Sequence, residues 1–169
     1  MIVVGLLVGC ETLPKDAMVP SADSLKLRQV QTRRFNGISE TKLLAATAGV
    51  IQDLGFNIDE SETRLGVITG SKQRSAVEAG QVFVAFLAAL GGSGSAAFDK
   101  TQKLRVSIVV RPAGKDNKTD FQVRATFQRI VWRTDNTVSR AESLKQPKLY
   151  QEFFDKLSKA VFLEAQDVQ

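Results

Sequence analysis

The sequence lacks the side chains on which several common chemistries depend. Among its 169 residues there is no histidine and only one cysteine, Cys10. A lone cysteine cannot form an intramolecular disulfide, and without histidine there is neither a mixed cysteine and histidine zinc site nor a histidine general acid or base. The composition therefore excludes a disulfide scaffold and the enzymes that depend on those groups.

Catalytic sequence motifs are also missing. The chain contains no G-x-S-x-G nucleophile elbow and no G-x-x-x-x-G-K-[ST] phosphate loop. The glycine-rich stretch from Gly91 to Ser95 does not follow a predicted strand and open a helix, so it is typical of a loop. The carboxylates of Asp53, Asp120 and Asp155 cannot be paired from the sequence, which leaves a carboxylate-dependent hydrolase as an alternative. We predict a protein that is not an enzyme and needs no cofactor or metal.

The chain has a moderate positive charge and enough apolar residues for one domain. Lysine and arginine outnumber aspartate and glutamate by 23 to 18, which gives a formal net charge of +5, and 43% of the residues are hydrophobic. A chain of this length buries the core of one ordinary domain. A positive excess favours anionic partners where it is clustered.

The N-terminal stretch MIVVGLLVGC combines a short apolar run with the only cysteine. The run is too short to span a bilayer, which needs about 20 apolar residues, and its length suits a secretory leader. Leu7, Val8, Gly9 and Cys10 resemble a bacterial lipobox, in which the leader is removed and the cysteine is acylated. The resemblance implies a leader over residues 1–9 and a lipid anchor at Cys10. The alternative is a buried free cysteine on a short N-terminal strand.

Residues 10–24 are predicted to form the lipidated N-terminus and a flexible tether. The stretch ETLPKDAMVPSADS has two prolines, several charges and no apolar period. In proteobacterial lipoproteins an aspartate directly after the cysteine tends to hold the protein at the inner membrane. Glu11 stands there in this chain, so the resemblance implies the outer membrane, with the domain facing the periplasm.

Residues 25–169 are predicted to form a single domain. The stretch SLKLRQVQTRRF is polar enough for an edge strand. A helix then follows from an N-cap at Ser39 to Gly55, because apolar residues recur at helical spacing. Phe56 and Ile58 begin a hairpin whose return strand is LGVITGSKQ. The acidic hairpin tip lacks the ligand order of a calcium loop, which favours a solvated turn.

Two alternating strands and a closing helix make up the C-terminal half. Apolar and polar residues alternate over residues 104–111 and 121–128. The apolar positions then shift by one residue to Ile130 and Trp132, which predicts a β-bulge near Gln128 and Arg129. The last helix begins near Pro147, and its apolar stripe is Leu149, Tyr150, Phe153, Phe154, Leu157 and Val161.

This order of elements predicts an α+β fold, an antiparallel sheet of about five strands with two main helices on one face. The stretch AATAGVIQDLGFNIDESETRLGVITGSKQ is similar to the helix-grip modules of BamC-type outer-membrane lipoproteins. The stretches RQVQTR and QDLGF resemble those of small uncharacterised proteobacterial outer-membrane lipoproteins. These resemblances imply a helix-grip-like fold, an outer-membrane location and, through the BamC-type likeness, an accessory role in envelope assembly.

An apolar helical insertion over residues 75–98 interrupts the order. Ser75 and Glu78 have capping-box spacing, and every residue from 82 to 90 is apolar. A helix over residues 75–90 would be roughly 24 Å long, short of a bilayer span. It is either buried in the domain or an exposed protrusion that contacts a partner or the membrane. The contact residues would be Val82, Phe83, Phe86, Leu87 and Leu90, and the flanking cations Lys72, Arg74 and Lys100.

Arginines on the C-terminal strands form the other candidate surface. Arg105, Arg111 and Arg124 are the candidate anion contacts, and Arg129 and Arg133 are predicted on the same exposed face. Such a face suits solvent alone, an anionic lipid or polymer, or nucleic acid. Phe121 and Phe127 point opposite to Arg124, so bases have no stacking platform there, which disfavours nucleic acid.

The sequence thus predicts a lipid-anchored, periplasm-facing protein of a Gram-negative outer membrane. It would act as a binding or accessory module with an envelope protein partner. The first alternative is a domain that binds nucleic acid or an anionic polymer through the arginine-rich sheet face. The second is the carboxylate-dependent hydrolase.

Overall fold

An antiparallel sheet with helices on one face forms the framework of the protein. The computed structural model describes residues 22–73, 99–114, 119–133 and 137–166. Three helices and six strands lie within these ranges. In chain order they are α1 (Ala22–Val30), β1 (Thr32–Asn36), α2 (Glu40–Asp53), β2 (Asn57–Glu62), β3 (Val67–Gln73), β4 (Asp99–Pro112), β5 (Asp120–Arg133), β6 (Val138–Ser143) and α3 (Pro147–Gln166).

The 14-residue strand β5 organises the sheet. The strand order is β1-β5-β4-β3-β2, and β6 also pairs with β5. Along one edge of β5, β1 pairs with residues 120–124 and β6 pairs with residues 128–132. Two short strands therefore share the edge that a single long strand would otherwise occupy.

One face of the sheet is buried beneath α2 and α3. Because successive side chains of a strand point to opposite faces, the alternating apolar residues of β4 and β5 meet on this face. The helices contribute aromatic and aliphatic side chains from the opposite side, including Tyr150, Phe153 and Phe154, which are at most 1% exposed. The central sheet residues of this core are Leu104, Val106, Ile108, Val110, Phe121, Val123, Ala125 and Phe127.

The α+β class and the two main helices are confirmed. Helix α2 begins after Ser39, whose hydroxyl oxygen accepts a hydrogen bond from the Lys42 backbone N–H at 3.4 Å. It ends before Gly55, which has a φ of +79°. Helix α3 starts at Pro147, where the missing N–H costs nothing, and its predicted stripe is buried from Leu149 to Leu157.

The N-terminal edge of the domain differs from the prediction. The stretch SLKLRQVQTRRF was expected to be extended, but most of it lies in α1, and only its last residues belong to β1. Residues 22–24, expected in the tether, are the first turn of this helix. Asp23 in the first turn and Arg28 in the last complement the helix dipole, and Leu27 and Val30 pack against the core at helical spacing.

The far end of β5 also differs from the prediction, in two respects. The sheet has six strands rather than about five, because the polar stretch VSRAES forms β6. The expected bulge at Gln128 and Arg129 is absent, since the register with β4 is unbroken from Val131 to Phe121. Val131 keeps the core-facing phase, whereas Ile130 and Trp132 lie half-buried on the other face.

The turn that leads into β3 depends on a glycine. Gly66 has a φ of +63°, and a Cβ atom added there would lie 2.3 Å from the Val110 carbonyl oxygen. The Gly66 carbonyl accepts a hydrogen bond from the Val110 backbone N–H at 2.7 Å, so the backbones of the two residues are held together. Gly37 has a similar φ of +77° but has no neighbour within 4 Å of its added Cβ.

This pair of glycines gives a matched test of the close approach. Gly37→Ala should lower the free energy of unfolding by about 1–2 kcal/mol, the cost of a left-handed conformation for a residue with a Cβ. Gly66→Ala should lower the free energy of unfolding by about 1–3 kcal/mol more than Gly37→Ala does, because the added methyl group also overlaps a backbone oxygen. Urea unfolding of both variants measures the difference. Equal losses would mean that the Gly66 contact relaxes without cost.

Candidate anion-binding groove

Polar side chains cover the sheet face opposite α2 and α3, which we call the open face. On β4 and β5 these side chains alternate with the core residues, and their partners across the strands share the same face. Its members on the two strands are Lys103, Arg105, Ser107, Val109, Arg111, Gln122, Arg124, Thr126, Gln128, Ile130 and Trp132.

Helix α1 and the open face enclose a basic groove of about 640 Å³. Three guanidinium groups line it, one from each of α1, β4 and β5, together with apolar surface from Leu25 and Val109. Leu25 is 48% exposed although it is a large apolar residue. The full lining of the basic groove is Leu25, Arg28, Gln29, Thr32, Val109, Arg111, Gln122 and Arg124.

The strand register brings two of the predicted arginines together and leaves the third apart. Arg111 lies opposite Gln122, and Arg124 is two residues further along β5 on the same face. Such diagonal neighbours have Cβ atoms roughly 7–8 Å apart. Arg105 shares the face but is six residues from Arg111 along β4, roughly 20 Å at the rise of an antiparallel strand.

No acid among the described residues forms an ion pair with the arginines of the basic groove. Within the described ranges, ion pairs form at Arg33, Arg34 and Arg129, and none forms at Arg28, Arg111 or Arg124. Three like charges on adjacent elements attract an anion more strongly than isolated surface charges do. The groove is therefore chemically suited to a compact anionic group.

Asp120, two residues before Gln122 of the groove lining, is bound by an arginine outside the groove. Arg34 on β1 donates from Nε to Asp120 Oδ1 at 2.7 Å and from its terminal nitrogen to Oδ2, a bidentate arrangement. The Asp120 side chain is only 7% exposed. Hydrogen bonding to Arg34 lowers the pKa of Asp120 below its ordinary value, against the opposing effect of burial.

A hydrogen-bond network connects Arg124 to the interior of the domain. The Arg124 guanidinium donates to the Gln31 side-chain oxygen at 3.5 Å, and the Gln31 amide nitrogen donates to the Tyr150 hydroxyl at 3.1 Å. That hydroxyl donates in turn to the Leu144 carbonyl at 2.5 Å. Gln31 and Tyr150 are 4% and 0% exposed, so the anchor of Arg124 lies in the interior.

The predicted arginine face is only partly correct. Arg105, Arg111 and Arg124 lie on the open face as predicted, but Arg129 lies on the core side of β5, where its Nε donates to Glu142 at 2.7 Å. Arg129 was placed on the open face because a bulge was expected at Gln128 and Arg129, and the unbroken register turns its side chain to the core side instead. The side chain of Arg133 lies outside the described residues.

Arg28 was not among the predicted anion contacts, because its stretch was expected to be a strand. The signal in the sequence is the spacing of Leu27 and Val30, together with an acid in the first turn of the helix and a base in its last turn. Read as a helix, the stretch turns Arg28 and Leu25 to one side, three residues apart.

The other predicted functional side chains are not assembled into a site. Asp120 and Asp155 bind different arginines, Arg34 and Arg33, and Asp53 ends α2. Lys72, one of the cations predicted to flank the apolar insertion, donates to the Leu54 carbonyl at 2.9 Å at the end of α2. Its desolvation lowers the pKa of this lysine. In the described ranges no three acids or cysteines come close enough to hold a metal ion.

Several predictions fall outside the described residues. They concern the leader over residues 1–9, Leu7, Val8, Gly9 and Cys10 of the lipobox-like motif, and the insertion with Val82, Phe83, Phe86, Leu87 and Leu90. Among the helices that the structure describes, none has the length and apolar character needed to cross a membrane.

Comparison with known proteins adds no family assignment. No protein-family model matches the chain, and no curated protein matches it either.

The buried Asp120 carboxylate predicts a specific pH dependence. The pKa of Asp120 is lower in the folded than in the unfolded state, so the ionised carboxylate stabilises the fold at pH values above the ordinary aspartate pKa of about 3.9. This stabilisation is lost as the pH falls from about 3.9 to the pKa of the folded state. The free energy of unfolding of the native protein should exceed that of Asp120→Asn near neutral pH, and the gap should shrink below about pH 4.

Urea unfolding of both proteins at several pH values measures that gap. Asp53→Asn, at an exposed position in the last turn of α2, controls for the loss of one negative charge. If the difference in the free energy of unfolding between the native protein and Asp120→Asn stayed constant down to about pH 3, the ionised carboxylate of Asp120 would not stabilise the fold through Arg34.

Proposed function

We propose that this chain is a lipid-anchored binding module of the cell envelope, that it binds an anionic ligand in the basic groove, and that it is not an enzyme. The observation that carries the binding function is the cluster of Arg28, Arg111 and Arg124, which form no ion pair within the described residues. The anchor rests on the lipobox-like residues before Cys10. The proposed location is the periplasmic side of the outer membrane.

The packing of the site supports binding rather than a purely solvated face. An exposed arginine on a sheet usually keeps full rotamer freedom and contributes little. Arg124 is instead held through Gln31 and Tyr150, both buried. A guanidinium whose orientation is already restricted loses less entropy when it binds a ligand, so binding is stronger for the same contacts.

The resemblance to BamC-type modules is consistent with an accessory role in the envelope. In such a role the ligand or a protein partner would meet the domain at the membrane. The nucleic-acid alternative also uses clustered arginines, but none of the described side chains lining the groove is aromatic, and single-stranded nucleic acids depend on stacking for much of their affinity.

A matched pair of variants tests the groove. Inositol hexakisphosphate serves as a compact polyanionic probe, titrated by calorimetry into the full chain. Arg111→Gln should weaken its binding about tenfold or more, because a hydrogen bond to a charged group contributes about 1.5–3 kcal/mol. Arg105→Gln makes the same change on the same strand and face, about 20 Å away, and should weaken binding less than twofold.

The two variants also separate local binding from general charge. If both substitutions weaken the affinity equally, the probe senses only the net charge of the domain, and the groove is not the site. If neither native protein nor variant binds the probe, the binding function as proposed is wrong.

The anchor has its own test. In protein produced in bacteria with its own N-terminus, the mass of the N-terminal peptide should correspond to an acylated Cys10 without residues 1–9. A Cys10→Ser variant should keep the leader and carry no acyl group. An intact N-terminus with a free Cys10 thiol in the native protein would remove the anchor from the proposal and leave the groove to be judged separately.

A further inference from the structure

We propose that the ligand of the basic groove is the phosphate headgroup of an anionic phospholipid. This inference rests on the proposed function and names the chemical class of its ligand. It follows from the mixture of charged and apolar surface in the groove and from the short length of chain between Cys10 and α1.

The lining of the groove fits an amphiphile better than a fully polar anion. Arg28, Arg111 and Arg124 supply guanidinium donors, which bind phosphate oxygens through pairs of N–H groups. Leu25 and Val109 lie in the same groove, and 48% of Leu25 is exposed to solvent. A phospholipid brings a phosphate for the arginines and a glycerol and acyl region for these apolar side chains.

The volume of the groove sets the size of the bound part. About 640 Å³ lies within the usual range for small-ligand sites. It accommodates a headgroup with the beginning of its acyl chains, whereas the chains themselves would extend out of the groove. Such a ligand is bound at the surface of a bilayer and need not be extracted from it.

Chain length keeps the groove close to that surface. Leu25 and Arg28 belong to α1, whose first residue, Ala22, is twelve positions after Cys10. Twelve residues span at most about 40 Å even when fully extended. With Cys10 in the membrane, the groove therefore stays within reach of the headgroups, and this proximity raises the effective concentration of any lipid ligand.

The test uses soluble short-chain lipids, so that the anchor and the leader do not drive binding. The full chain is titrated with dihexanoyl phosphatidylglycerol, dihexanoyl phosphatidylcholine and glycerol 3-phosphate, each below its aggregation concentration. We expect the anionic lipid to bind at least about tenfold more tightly than the zwitterionic one, because phosphatidylcholine carries a cation that the arginines repel. We expect glycerol 3-phosphate to bind more weakly than phosphatidylglycerol because it lacks the apolar part, although its phosphate monoester carries the larger negative charge.

Two substitutions test separately whether the groove binds the phosphate and the apolar part of the lipid. Arg111→Gln should weaken phosphatidylglycerol about tenfold, with Arg105→Gln as the control outside the groove. Leu25→Ser should weaken phosphatidylglycerol severalfold and leave glycerol 3-phosphate unchanged, because only the lipid contacts Leu25. Both positions are exposed, so thermal unfolding should show that the variants remain folded.

The other outcomes overturn the inference in distinguishable ways. Equal affinity for glycerol 3-phosphate and the lipid, insensitive to Leu25→Ser, would mean that the groove binds a free phosphate compound, and the anion-binding function would stand without the lipid. Tighter binding of a single-stranded oligonucleotide, lost in Arg111→Gln, would assign the groove to nucleic acid. No binding of any probe, inositol hexakisphosphate included, would remove the inference and the binding function together.

Discussion

The junction between β1 and β6 is the constraint on which the rest of the structure depends. Both strands pair with the same edge of β5, and the backbone between their pairing regions would be left without partners. The structure closes this gap with two hydrogen bonds of 2.9 Å, from Ala125 N–H to the Gln31 carbonyl and from Leu144 N–H to the Phe127 carbonyl. Hydrogen bonding along this edge of β5 therefore continues across the gap between β1 and β6.

Tyr150 connects the ends of β1 and β6 at this gap to the core. Its ring packs edge-on against Phe127 with centroids 5.5 Å apart, and its hydroxyl lies between the side chain of Gln31 and the carbonyl of Leu144. A buried phenol needs hydrogen-bond partners, and here those partners are the end of α1 and the residue after β6. Helix packing, strand pairing and the position of α1 are therefore coupled at one residue.

The same junction explains why the basic groove is where it is. Gln31 directly follows α1, and its side chain contacts both Arg124 and Tyr150, so the groove wall and one of its arginines are linked to the interior. Arg34 and Asp120 lie further along the same pair of strands and satisfy each other. Of Arg105, Arg111 and Arg124 on the open face, only the last two lie beside α1.

Much of the framework could be predicted from the sequence, because strong periodicity reports burial directly. The apolar stripes of α2 and α3 and the alternating apolar residues of β4 and β5 mark the faces that are buried, and these patterns predicted the elements. Helix α1 and strand β6 were missed because both are mainly polar elements at the edge, stabilised by contacts with β5 and α3 rather than by an apolar stripe of their own. The bulge was wrongly predicted because Ile130 and Trp132 are apolar, although they lie on the open face.

The groove shows where sequence reasoning reaches its limit for this protein. The alternation of β4 and β5 was enough to place Arg105, Arg111 and Arg124 on one face, but not to say which of them are neighbours. That depends on the register, which pairs Val109 with Arg124 and so sets Arg111 beside it. It depends equally on α1, whose Arg28 completes the cluster only because Gln31 ties the helix to β5. The groove is formed by three elements, so its composition depends on how α1, β4 and β5 are placed against one another. Gln31, which joins α1 to β5, is buried and does not line the groove.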